Sequence, residues 1–289
     1  MAPTRITEAD PQATIESYPE EIRNDANKLR WQLAVSIIMH FLGRDWVLKN
    51  FPQDDKRPGF FRLDFSSDVA REHKTARILD FAETLYNLQH IEGFDSRIDQ
   101  MRTADAESTY AEFDFAKFLY GADVSFKFVV PSGVAGKDYD YLVTYSDRRT
   151  ACADAKCRVE GEEINPAALG RILESARSKS LPRDEPGLIF VKVPQEWIDA
   201  SGVLPDCANV VQNFLRQTER VVSVVVYAPI IQHSEGIVSY RYLMGEFDNN
   251  KHRFDMSMSW RVFDNIGLPV GADGMPHKWH RILSQGREQ

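Results

Sequence analysis

The apolar positions along the chain fall into two regimes. Up to about Met101 they recur at helical spacing. Leu29, Leu33, Ile37, Ile38 and Phe41 mark one face of a first helix; Ala70, Ile78, Phe81 and Leu85 mark one face of a second, over 67–90. A charged, proline-containing break at 51–58 separates them, and Gly93 closes the second. Residues 1–19 are polar and partly acidic and read as a mobile leader. From Thr103 the period changes. A helix over 103–120 leads to short strand-like runs at 123–130, 138–145 and 150–158. A helix opened by Asn165-Pro166 follows to about 178, then an apolar strand at 187–193, a helix at 207–217 and a strand at 221–227. Asn is a favoured N-cap, and Pro is tolerated in the first helical turn. The short turn at 146–149 predicts a hairpin. The last strand–helix–strand unit predicts parallel pairing through a crossover. Beyond Pro229 strand and loop are expected, with Gly236, Asn249-Asn250 and the stretch 267–276 supplying turns.

This order predicts an α/β fold with a mixed sheet. The expected division is a leader and helical region over 1–102, an α/β core over 103–231, and a C-terminal strand and loop extension over 232–289 packed on that core.

Composition narrows the class. Of 289 residues, 43% are hydrophobic and 27% charged, the balance of a globular chain with a sizeable core. No apolar run approaches the roughly 20 residues of a membrane helix. The N-terminus lacks the basic start and apolar stretch of a signal peptide, so a cytoplasmic location is the expectation. The three cysteines, Cys152, Cys157 and Cys207, form no Cys-x-x-Cys pair, which argues against a disulfide scaffold or zinc ribbon. The net charge of −8 counts against a surface that grips nucleic acid everywhere, because such affinity comes from Lys and Arg on phosphates. It leaves room for a local basic groove.

The candidate chemistry lies on the predicted hairpin. Side chains alternate along a strand, so Asp138, Asp140 and Leu142 share one face, and Cys152, Asp154 and Lys156 share another. The hairpin brings Asp140 within about one residue of Asp154. Two adjacent carboxylates repel unless a positive charge lies between them, and a hard divalent cation on carboxylate oxygens satisfies that need. The helix before the strands offers a third acid at an edge of its apolar face (Ala111, Phe115, Phe118, Leu119, Ala122). Glu112 is favoured over Glu107 because it lies nearer the strand tips. Asp138 reads as an exposed residue at a strand start. Acidic-x-Lys also occurs at Asp54–Lys56 and Glu72–Lys74, but neither follows an apolar strand, so both read as solvated surface.

These residues resemble the signature of the PD-(D/E)XK nuclease superfamily, which includes restriction endonucleases and Holliday junction resolvases. The matching text is Ala111-Glu112 on a helix, Gly136-Lys137-Asp138-Tyr139-Asp140-Tyr141-Leu142-Val143, and Ala151-Cys152-Ala153-Asp154-Ala155-Lys156, within about 103–194. Tyr139 stands where Pro often precedes the first Asp. The resemblance implies a restriction-endonuclease-like αβββαβ core. It also implies metal ligation by Asp140 and Asp154 with support from Glu112, and a water-positioning role for Lys156. An all-oxygen set suits Mg²⁺, or Mn²⁺, better than zinc. The implied activity is metal-dependent phosphodiester hydrolysis, with DNA the first candidate substrate and a homodimer compatible. Lys137, Arg158, Arg171 and Lys179 are candidate phosphate contacts. The rival is a nuclease-fold module that binds nucleic acid or a protein partner without cutting; a weaker one makes the N-terminal helices a docking platform. His277 and His280 lack metal-binding companions, no phosphate loop or nucleophile elbow is present, and Trp31, Trp46 and Trp197 read as core residues.

Overall fold

A computed structural model of the chain describes residues 4–51, 68–103, 106–134, 136–158, 163–199, 202–234, 237–263, 279 and 282–283. His277, His280, Gly236, the pair Asp54–Lys56, most of the break at 51–58 and the stretch 267–276 lie outside them. Among the described residues seven helices come first: α1 (Ala9–Ser17), α2 (Glu20–Arg23), α3 (Ala26–Leu42), α4 (Arg44–Asn50), α5 (Asp68–Leu88), α6 (Phe94–Thr103) and α7 (Ala106–Gly121). Then follow β1 (Ser125–Phe128), β2 (Tyr141–Thr144), β3 (Thr150–Cys157), α8 (Pro166–Ser175) with a π-helical turn over Ala176–Ser180, and β4 (Gly187–Lys192). A small ribbon of β5 (Ile198–Asp199) and β6 (Gly202–Val203), helix α9 (Pro205–Arg216), β7 (Val221–Ser234) and β8 (Ile237–Asp248) complete the order.

The fold is mixed α/β. One six-stranded sheet has the order β1-β2-β3-β4-β7-β8. β1, β2 and β3 are antiparallel neighbours, β3, β4 and β7 run parallel, and β8 returns antiparallel to β7. Strand alternation splits the core in two. Leu188 and Phe190 of β4 join the cluster under α3 to α7, whereas Ile189 and Val191 join the cluster under α8 and α9. Every residue of β4 is buried, as a parallel strand covered on both faces requires.

Local signals explain most boundaries. Asp25 caps α3 by accepting from Asn27 N and Lys28 N, both at 3.1 Å, and the helix buries Leu33, Ile37, Ile38 and Phe41. Asn165 caps α8 through Ala168 N at 3.0 Å, with Pro166 in the first turn. Gly93 (φ 85°) precedes α6 and cannot be replaced, because a Cβ there would lie 2.3 Å from Phe128 O. This close approach fixes the start of α6 against β1.

The structure departs from the expectations at four places. Residues 1–19 are not wholly a free leader: α1 is helical, Ile6 is buried, its backbone pairs with the Gln89 side chain, and Arg5 pairs with Asp95. The short polar run carries no periodicity long enough to signal this docking. β1 and β2 are four residues each, shorter than the runs read; beyond them Val129 N still donates to Asp140 O, while Asp138 turns to cap Ser132 and Gly133. β7 passes through Pro229 to Ser234, so a boundary at 231 falls inside it. β4 ends opposite Tyr227, and beyond it β7 pairs with β8 in the sheet, which leaves proline a tolerable place. Finally, α7 is buried nearly all round, from Thr109 to Leu119, since it lies between the other helices and the sheet. Its polar residues therefore need partners, and that sets up the site.

Candidate functional site

The β2–β3 hairpin forms as expected. Tyr141 pairs with Ala153 and Leu142 with Cys152, so by the same register Asp140 faces Asp154. Asp140 N donates to Ala153 O at 2.8 Å. The turn closes through Arg148, held at φ 71°, with Asp147 accepting from Arg149 N at 3.0 Å. Asp140 and Asp154 are both buried, and Asp140 Oδ2 accepts from Ala155 N at 2.7 Å. Lys156 Nζ lies 2.6 Å from Asp154 Oδ2. Its side chain is 30% exposed against 1% for Asp154, so it bridges the buried acid and solvent.

Glu112, on α7, is the helix acid that joins them. It is buried at 6% exposure, whereas Glu107 is half-buried one turn and more away. Its backbone carbonyl accepts from the Tyr141 hydroxyl, which pins α7 to β2. An unforeseen residue completes the cluster. Arg97, on α6, is almost wholly buried; its Nη1 lies 2.6 Å from Glu112 Oε2 and 3.4 Å from Asp140 Oδ1. Its Nη2 donates to Val129 O at 2.9 Å and Asp140 O at 3.1 Å, and Nη1 donates to Gln100 Oε1 at 2.7 Å. The sequence carries a signal for it: Phe94, Ile98 and Met101 form an apolar stripe, and a cation at position 97 falls within that stripe. Ser180 ends the π-helical turn that packs on β3, and it acts to lower the Asp154 carboxyl as a polar neighbour.

With all three acids ionised, the charges in this cluster do not balance. Three acids face two cations in a desolvated space. Burial, and then Asp140, push the Asp154 carboxyl up to about 7 against the opposition of Lys156. Glu112 is driven well above the usual carboxylate range by burial and then by Asp140, with Arg97 opposing. Burial works against the Lys156 ammonium and the Arg97 guanidinium, but the surrounding acids outweigh it, so both hold their protons more tightly than usual. Glu112 Oε2 and Asp154 Oδ2 are buried without a well-aligned hydrogen-bond donor. Such oxygens and such an excess of negative charge are what a further cation relieves.

Could the residues hold one? Among the described residues no group of three or more His, Cys, Asp and Glu side chains is arranged as a metal cage. Arg97 occupies the ground between Glu112 and Asp140. Asp140 and Asp154 remain as an all-oxygen pair beside a lysine. That fits Mg²⁺, which is commonly bound by one or two carboxylates and completed by water and phosphate oxygens.

A second buried charge cluster lies on the same helix. Lys117 Nζ donates to both Asp80 oxygens at 2.7 Å and to the Tyr242 hydroxyl at 2.6 Å. Tyr242 in turn donates to Asp114 Oδ1 at 2.6 Å. Lys192 Nζ stands 3.9 Å from Asp114 Oδ2 and 4.4 Å from the Tyr110 ring. Two acids meet two lysines, so the charges cancel.

The other candidates scatter. Asp138 is a loop cap, accepting from Ser132 N, Ser132 Oγ and Gly133 N, and takes no part in the site. Lys137 is exposed at the edge of a cleft beside that loop. Arg158 is half-buried just past β3, and its backbone N–H donates to Lys192 O. Arg171 and Lys179 are exposed on α8 and the turn after it. Trp46 and Trp197 are core residues, with Trp31 partly buried against the core; the Trp46 indole donates to Met101 O at 2.9 Å. No helix among the described residues is long and apolar enough to cross a membrane. No protein-family model matches the chain, and no curated protein matches it.

Proposed function

We propose that this chain is a divalent-cation-dependent nuclease that hydrolyses phosphodiester bonds in DNA, built on a restriction-endonuclease-like core. The observation that carries the reading is the hairpin patch of Asp140, Asp154 and Lys156, with its uncompensated negative charge. The order α7, β1, β2, β3, α8, β4 supports it, because it matches the αβββαβ order that the resemblance implies.

Asp140 and Asp154 would hold Mg²⁺ or Mn²⁺, which would neutralise charge growing on the phosphate and acidify the attacking water. The Ala155 N–H fixes Asp140 through Oδ2, and Oδ1 lies 3.4 Å from Arg97 Nη1. Lys156, anchored on Asp154 and open to solvent on its other side, donates to the attacking water and keeps it in line with the scissile bond. Arg97 carries no chemistry in this scheme. It ties α6 to the Asp140 carbonyl and holds Glu112 as its counter-ion, so it sets where Asp140 sits. Glu112 then supports the site through Arg97 rather than as a direct ligand.

The test is cleavage of plasmid and linear DNA with Mg²⁺ or Mn²⁺. Activity should vanish with EDTA and in the Asp154→Ala/Lys156→Ala variant. Equal cleavage by wild type and variant would mark the activity as a contaminant and end the proposal; cutting of RNA alone would correct the substrate.

A second reading has its own observation. Arg97 stands between Glu112 and Asp140, as a cation built into the chain, which suits a nuclease-fold module that binds without cutting. Calorimetry separates the two. A Mn²⁺ isotherm lost in Asp140→Asn supports the nuclease, and a flat trace for the wild type supports the binding module.

A further inference from the structure

The chain carries a net charge of −8, yet one cleft collects cations. Arg177, Arg216, Arg220, Lys251 and Arg253 line it, with Glu219 as the acid among its lining residues, in a volume of about 510 Å³. Their partners do not cancel them. Arg177 pairs with Glu174, and Arg253 lies 3.5 Å from Asp184 at the surface. Arg220 is spent on the backbone carbonyls of Leu181 and Arg177. Arg216 reaches Asn213 Oδ1 at 3.3 Å, and Lys251 has no ion-pair partner among the described residues. Even with Glu174, Asp184 and Glu219 all set against them, two positive charges remain. Burial and then the neighbouring Arg177, Arg183 and Arg253 push the Arg220 guanidinium below its ordinary range, which is the mark of crowded like charges that an anion would relieve.

The place of the cleft matters as much as its charge. Arg177 lies in the π-helical turn that packs on β3, the strand that carries Asp154. Arg220 immediately precedes Val221, which pairs with Gly187, itself paired with Cys152 two residues from Asp154. Arg220 also borders a second cleft of about 700 Å³ beside the loop leading to Asp140, where Lys137 and Arg183 stand with the acids Asp184 and Glu185. Arg220 thus joins the cleft beside that loop to the cleft of Arg216 and Lys251. Spaced cations along a concave track suit successive phosphates of one strand, which a single small anion would not need.

We propose that this cleft is a phosphate-binding subsite that holds the backbone of the nucleic-acid strand presented to Asp140 and Asp154. The proposal rests on the nuclease reading for its choice of ligand, but its test does not need cutting. Anisotropy of a fluorescein-labelled DNA duplex, measured in EDTA across a salt series, compares the wild type with Arg216→Gln/Lys251→Gln. Both side chains are exposed, so the fold should survive, and a melting curve checks it. The expected result is a Kd raised roughly ten-fold or more, with the slope of log K against log salt shallower by about 2. An equal loss of charge at Arg44→Gln/Lys49→Gln, on α4, should leave that slope unchanged.

An unchanged Kd and slope in the cleft variant would overturn the subsite even if the wild type cuts DNA. Weakened binding in that variant, beside a wild type that never cuts, would keep the subsite and remove the nuclease reading. No binding by the wild type overturns the subsite. So does a site that takes inorganic phosphate or a mononucleotide through Arg216 and Lys251 while ignoring the duplex.

Discussion

Two buried charge clusters share helix α7, and they are built differently. Around Lys117, Asp80 and Tyr242 both carboxylate oxygens of Asp80 are hydrogen-bonded, Asp114 Oδ2 lacks an aligned donor, and acids and lysines are equal in number. Around Asp154, three acids face two cations, and buried oxygens lack aligned donors. A buried network that is nearly satisfied stabilises one arrangement of helices and has little left to offer a ligand. A network left short of positive charge is costly in isolation and is suited to binding a cation or an electron-poor substrate. The difference separates structure from candidate chemistry without any family name.

The sharpest way to break this comparison is activity. Asp154→Asn should lower DNA cleavage by about 10³–10⁴-fold, roughly 4–5.5 kcal/mol in barrier, while the metal-free protein melts no lower than wild type, because one repelling charge is gone. A gel-based rate and a melting curve on the same preparation check both halves. Loss of fold in this variant would move Asp154 into the structural class.

Next in size, Lys117→Ala should cost about 3–5 kcal/mol of stability, since it strands the Asp80 and Asp114 charges in the interior. Urea unfolding measures it. If the variant is as stable as wild type, the Lys117 cluster is not the structural partner in the contrast.

A smaller effect should appear with pH. Asp154 keeps its proton to about pH 7 in the folded chain, against an ordinary value of 3.8. Between those values the folded state binds more protons than the unfolded one. Stability of the metal-free protein should therefore fall as pH rises from about 4 to 7, by up to about 1.4 kcal/mol per pH unit, and the loss should be complete above 7. Asp154→Asn should flatten that slope in EDTA. Unfolding midpoints at pH 5, 6, 7 and 8 show whether it does. Added Mg²⁺ should restore stability at pH 8 in the wild type and not in the variant.

The smallest expected effect is at the exposed helix face. Arg171→Gln and Lys179→Gln should each shift stability by under about 0.5 kcal/mol. A larger loss would show that this face is packed against something.

Much of the arrangement was legible from local signals. Strand alternation and a short turn placed Asp140 opposite Asp154, because a two-residue period and a tight hairpin leave little freedom of register. The Asn165-Pro166 start of α8 and the apolar run of β4 were equally local. Position on the helix favours Glu112 over Glu107, and Glu112 is the more buried of the two. Ser180 and the docking of residues 4–17 had no such signal. Arg97 did, as a cation in an apolar stripe, but a stripe names no partner.

The sequence by itself determined the helical N-terminal region, the mixed order of strands and helices, and the pairing of Asp140, Asp154 and Lys156, since each rests on spacing within a short segment. Tertiary structure alone decided that α7 is buried nearly all round from Thr109 to Leu119, that Arg97 enters between Glu112 and Asp140, and that five cations from three separate segments meet in one cleft. Those contacts join residues tens to more than a hundred positions apart. They depend on how elements pack and on the charge balance left when water is excluded, and no periodicity along the chain records either.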